Sequence, residues 1–120
     1  MKGLEMEFNT AFGFVPIDKR RTISKPRKSG ITMVSDYQLG LASLSDLIEV
    51  AGHYIDLFKI ATGTSRLFEK THLQAKIEML RANDIRPFLG GQFQEYVLLT
   101  ICVDAMPRHL SEAQALGFDI

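Results

Sequence analysis

The chain has no tryptophan and a single cysteine in 120 residues. One thiol can form neither an internal disulfide nor a thiolate metal cluster, and such sparing use of cysteine fits a reducing, cytoplasmic compartment. Cys102 lies in the apolar run Leu98 to Val103, where a small buried hydrophobe is expected rather than a nucleophile. No apolar run approaches the ~20 residues of a membrane span. The first residues also lack the uninterrupted apolar stretch of a secretory leader, so neither a membrane partner nor export is expected. Histidine is scarce as well: His53, His72 and His109 fall on helix or helix-edge positions without metal-ligand spacing, and no role is assigned to them. Low-complexity segments and short repeats are also lacking.

The formal charge sums to zero, but unevenly. Residues 1 to 28 hold seven Lys/Arg against three Asp/Glu, and the remainder seven against eleven. A basic leader on an acidic body can grip nucleic acid or a small anion, or lie solvated along its own domain. This cluster is short and has no interleaved aromatics, so a nucleic-acid partner is not expected. Pro16 and Pro26 argue against long regular elements, while Phe8, Phe12, Phe14, Val15 and Ile17 could cover one end of a core. Residues 1–29 therefore read as a basic arm and residues 30–120 as the domain.

Hydrophobic residues make up 46% and charged residues 23%, an ordinary globular composition. From Gly30 a plan repeats. Ile31 to Val34 is a short apolar run ending at Ser35-Asp36, and it reads as a strand near 30–35. Gly40 and Ser43 follow as loop and cap, then Leu44, Leu47, Ile48 and Ala51 recur at helical spacing until Gly52. Tyr54 to Ile60 is a second strand, Ala61 to Ser65 a small-residue loop, and a helix over 71–83 opens with Thr71 and Gln74 in a capping-box pattern. Ile85 to Leu89 is a third strand despite Pro87, which removes a ladder donor. Gln92 to Glu95 suggests a helical turn, and residues 97–103 fit helix, strand or insertion equally. Pro107 to Leu116 reads as a helix with Gly117 as its C-cap, and Phe118 to Ile120 as the start of a fourth strand. Strands separated by helical patterns imply βαβ units, hence an α/β fold with three to four parallel strands, a partial (β/α) barrel. Since about eight strands close such a barrel, the chain is expected to be a fragment, a sheet completed by another copy, or a small open sheet. Unpaired edges make self-association, and so a homo-oligomer, the expectation.

Ligands of parallel α/β folds sit at the carboxyl ends of the strands. Asp36 ends the first strand and Lys59 lies near the end of the second. Gly90-Gly91 ends the third, with Glu95 just beyond. A lysine inside an apolar strand is costly without a reason, and here it could neutralise a phosphate or carboxylate. Gly63-Thr64-Ser65 offers backbone N–H groups and hydroxyls to an oxyanion, and Asp36 with Glu95 could hold Mg²⁺ through oxygen. Each residue has a plainer use. Asp36 could cap the next loop, Lys59 could pair with a neighbouring acid, and Gly63-Thr64-Ser65 and Gly90-Gly91 could be ordinary turns.

The order Lys25-Pro26-Arg27, Gly30 to Asp36, Tyr54 to Lys59, Gly63-Thr64-Ser65, then Gly90-Gly91 with Glu95 resembles the phosphosulfolactate synthase family over about residues 20–120. The resemblance implies an α/β barrel and an Mg²⁺-dependent addition of sulfite to phosphoenolpyruvate, giving phosphosulfolactate on the route to coenzyme M. It further implies a catalytic role for Lys59 and substrate contacts from Arg27, Gly63, Thr64, Ser65, Gly90 and Gly91. The metal would sit on Asp36 and Glu95. A plant branch linked to heat-stress tolerance is similar in sequence, so a non-catalytic binding protein that has lost turnover is the alternative.

Overall fold

A computed structural model describes residues 10–22 and 24–119. Phe8 and Ile120, named above, lie outside the described residues. Three strands form one parallel sheet in the order β1-β2-β3: β1 is Met33–Asp36, β2 Leu57–Ile60 and β3 Arg86–Leu89. Helix α1 (Leu41–Ala51) joins β1 to β2, and α2 (Lys70–Ala82) joins β2 to β3. After β3 come the short α3 (Gly91–Tyr96), a wide turn over Val97–Ile101 and α4 (Met106–Leu116). This is the open front of a (β/α) barrel, with the sheet unclosed.

The two-residue alternation of the strands separates two faces. Phe58 and Ile60 of β2, with Ile55 and Ile85 just ahead of β2 and β3, bury themselves against Leu44 of α1 and Leu73, Ile77 and Leu80 of α2. Each such side chain contributes ~1.5–3 kcal/mol on leaving water. The opposite face carries Met33 and Ser35, Leu57 and Lys59, and Arg86 and Phe88, in register and open or half-open.

The strands are shorter than the apolar runs suggest. Gly30 adopts φ +65° and Ile31 is exposed, so β1 starts later. A tight turn over Gly52–Tyr54 takes the residues expected to open β2. The expected caps also move. Helix α1 begins at Leu41 behind Gly40, leaving Ser43 inside the helix, and α2 begins behind Glu69, without a Thr71 capping bond.

Pro87 is tolerated for a geometric reason. In a parallel strand both backbone groups of one residue point to the same neighbour. The amides of Arg86 and Gly90 bond back to Asp56 and Ile60, while the Pro87 carbonyl accepts from Asp119 at 2.8 Å on the far side. The missing donor therefore faces away from β2. The Asp119 bond also sets Phe118-Asp119 beside β3, where a fourth strand was expected. Gly117 ends α4 at φ +96°, with the Phe118 amide returning to the Ala113 carbonyl. A Cβ at Gly117 would stand 3.1 Å from Ile77 of α2.

Two expectations about apolar segments fail. Phe12, Phe14, Val15 and Ile17 are exposed and cover no core; Phe12 and Phe14 stack edge to face on each other. In the segment after α3, the Cys102 amide reaches back five residues to Val97, a wide turn that breaks the 3.6-residue repeat. Val97 is buried, but Leu99 is 81% exposed and Cys102 is exposed rather than buried. Among the described residues no helix is long and apolar enough to cross a membrane.

Candidate functional site

Three loops leave the carboxyl ends of the strands: 37–40, 61–65 and the Gly90-Gly91 turn into α3. The last two are fastened together. The Gly90 amide bonds to the Ile60 carbonyl at 2.9 Å, and Thr62 Oγ1 donates to Gln92 Oε1 at 3.1 Å. Gly90 is required by this approach, because a Cβ there would lie 3.3 Å from the Thr62 nitrogen. Gly63, at φ +72°, lies against the Phe93 ring, and Thr64 Oγ1 donates to the Ala61 carbonyl at 2.9 Å. Ser65 is buried, and its hydroxyl has no partner among the described residues.

Lys59 stands on the open face between Ser35 of β1 and Phe88 of β3. It is half-buried, and no described carboxylate pairs with it. Glu95 is exposed near the end of α3 and also lacks a described partner.

Asp36 does not join them. One residue beyond Ser35, its side chain belongs to the helix-covered face, where Oδ2 bonds Lys76 Nζ of α2. Asp36 is 3% exposed and Lys76 0%. Oδ1 accepts the amides of Gln38 and Leu39 at 3.1 and 2.9 Å, and Lys76 also reaches the Leu39 carbonyl at 2.6 Å. The aspartate thus caps its loop and neutralises a buried lysine on the helix-covered face, not the face that carries Lys59. For Mg²⁺ this matters directly. Asp36 is engaged by Lys76 and two loop amides, and among the described residues no group of three His, Cys, Asp or Glu is placed to hold an ion.

Arg27 is at the other end of the sheet. Its Nη1 meets Asp56 Oδ1 at 2.7 Å, and Nη2 and Nε donate to the carbonyls of His53 and Thr22. Asp56 sits just ahead of β2 and accepts the Thr32 amide at 2.9 Å. Burial pushes the Asp56 carboxyl up, but the Thr32 amide, Arg27 and Lys25 outweigh it and hold the group below the ordinary carboxylate range. Lys25 donates to the carbonyls of Gly52, Asn83 and Asp84, tying the arm to the ends of both helices; burial lowers its pKa, partly offset by Asp56. A buried carboxylate captures Arg27, so the motif Lys25-Pro26-Arg27 clamps the fold instead of reaching toward the loops at the carboxyl ends.

Lys76 and Asp56 carry no role in the sequence reading. Their signal was present: Lys76 interrupts the apolar stripe Leu73, Ile77, Leu80, and Asp56 interrupts the run Tyr54 to Ile60. The histidines make ring contacts, His72 with Phe68 and His109 with Phe93.

Residues 20–120 match the (2R)-phospho-3-sulfolactate synthase family. Among individual proteins, the chain is 39% identical over 95 residues to the phosphosulfolactate synthase of Methanothermobacter thermautotrophicus, covering 79% of this chain and 36% of that protein. The Methanocaldococcus jannaschii phosphosulfolactate synthase is 31% identical over 75% of this chain and 35% of its own length. The Bacillus subtilis phosphosulfolactate synthase is 39% identical over 62% of this chain and 29% of its own. The chain thus spans about a third of the length of the curated relatives it matches, and it belongs to the phosphosulfolactate synthase family.

Proposed function

We propose that the carboxyl end of this sheet forms part of a site that binds phosphoenolpyruvate for addition of sulfite. The observation that carries the reading is Lys59, a half-buried ammonium with no described carboxylate partner, at the strand ends of a chain in this family. Bringing sulfite to an enol phosphate sets anion against anion, so a fixed cation at low dielectric lowers the approach energy. In the addition the sulfite sulfur forms a bond to the methylene carbon, the double-bond electrons move toward the carboxylate, and the neighbouring carbon takes a proton. In this reading Lys59 holds the phosphate or carboxylate through that change. The Gly63-Thr64-Ser65 and Gly90-Gly91 turns would give backbone N–H groups to the same oxyanion.

Titration calorimetry with phosphoenolpyruvate, with and without Mg²⁺, tests the reading. Loss of a charge-assisted hydrogen bond is worth ~1.5–3 kcal/mol, so Lys59→Ala should weaken binding roughly ten- to a hundredfold. Lys70→Ala is the control, because Lys70 is exposed and pairs with Glu112 at 3.2 Å, and it should leave binding nearly unchanged. Equal binding by the two variants would remove the assignment. No binding by the unaltered chain would favour a non-catalytic role.

A further inference from the structure

The fold absorbs only part of the basic arm. Lys25 and Arg27 are committed to helix-end carbonyls and Asp56, but Arg20 and Arg21 are not built into the body. Together with Arg27 they wall a cavity of about 340 Å³ at the amino ends of the strands. That volume falls at the small end of ligand pockets, ~300–1,000 Å³. The rest of the wall is Gly30 and four hydroxyl-bearing residues, Thr22, Ser29, Thr32 and Tyr54, and no described carboxylate lines it.

Two acids bond these guanidinia without lining the cavity. Asp56 fixes Arg27, and Asp18 takes Arg20 through Nε and Nη2. Each guanidinium has five N–H donors, so both keep donors beyond these bonds. Arg21 has no described acidic partner; its guanidinium lies 5.7 Å above the Tyr54 ring. Gly30, at φ +65° with open space where a Cβ would be, leaves the backbone side unobstructed. Oriented guanidinia among hydroxyls, with no acid facing inward, match the tetrahedral oxygens of phosphate.

We propose that this cavity binds a small phosphate-bearing anion, at the opposite end of the sheet from Lys59. A nucleic-acid strand is disfavoured, because stacking bases need free aromatic faces and Arg21 covers a face of Tyr54.

Pyrophosphate is the probe, titrated into the full chain by calorimetry in dilute buffer. The expected result is saturable binding that Arg21→Ala weakens roughly tenfold or more, as loss of a charged phosphate donor should. Ser29→Ala should weaken it a few-fold, Lys70→Ala should not change it, and the Arg21-dependent binding should persist in Lys59→Ala. Circular dichroism of Arg21→Ala should match the unaltered chain, because its guanidinium makes no described hydrogen bond. Absence of saturable binding would overturn the proposal. So would an equal loss with Lys70→Ala, which means diffuse attraction, or loss of all binding with Lys59→Ala while Arg21→Ala binds normally, which places the anion at the other end. Tighter binding of a single-stranded oligonucleotide than of pyrophosphate would replace it with a nucleic-acid surface. The Lys59 variant keeps this test separate from the phosphoenolpyruvate reading.

Discussion

At the amino ends of the strands, Arg27 meets Asp56, Arg81 and Arg86 meet Asp119, and Lys25 gathers three helix-end carbonyls. At the carboxyl ends Lys59 meets no described acid, and the glycines at 63 and 90 let backbone approach where a side chain would block it. Arg20 and Arg21 of the arm aside, one end spends its charges on holding the chain together, and the other leaves Lys59 without a described acid. Barrel folds divide stability and chemistry between their two faces, and here three strands already separate paired from unpaired charge. A buried exception is Asp36–Lys76, an ion pair at the carboxyl end that faces the helices and not the open side.

That exception provides the largest test. Removing one member of a buried pair strands the other charge, at a cost of ~3–5 kcal/mol. Lys76→Ala should lower the urea midpoint accordingly, whereas Lys59→Ala should change stability by less than ~0.5 kcal/mol. Comparable losses would erase the distinction between the two lysines. Next is Arg27→Ala, which leaves Asp56 unpaired and should cost ~2–4 kcal/mol by the same argument. Its pH signature sharpens the comparison. The folded Asp56 carboxyl is held below its ordinary range, so its stabilisation is fully present above the unfolded value of ~3.9 and is lost as pH falls through the folded value. Urea denaturation across pH 2 to 6 should show that loss, and Asp56→Asn should flatten it. An unchanged profile would mean that Asp56 is not the group that matters. The smallest effect belongs to Gly90→Ala. The added methyl would push the 61–65 loop from the Gly90-Gly91 turn, so phosphoenolpyruvate binding should weaken several-fold while stability drops only ~1 kcal/mol. The same affinity as the unaltered chain would show that the fastened loops do not shape the site.

Much of the architecture is readable in the sequence because it rests on local rules. Gly117 after an amphipathic stretch is a helix stop in any context, and the alternation of Phe58 and Ile60 with Leu57 and Lys59 marks β2 and its open face. What fails depends on parity and distant partners. Asp36 and Ser35 are adjacent, yet only the register with β2 shows that Ser35 shares a face with Lys59 and that Asp36 does not. Arg27 belongs to a motif that the family resemblance ties to substrate, but a buried carboxylate 29 positions away claims it. The run 97–103 is ambiguous because a wide turn obeys neither the helical nor the strand period.

Pro87 has a consequence for how the sheet holds against opening. Its absent amide falls wholly on the side of Asp119, so the ladder there is one donor short while the ladder to β2 is complete. The boundary between β3 and the segment beyond it is therefore a seam, a line along which strands part more readily than along the joint behind it. Hydrogen exchange should follow that line, with the amides of Arg86 and Gly90 outlasting that of Asp119.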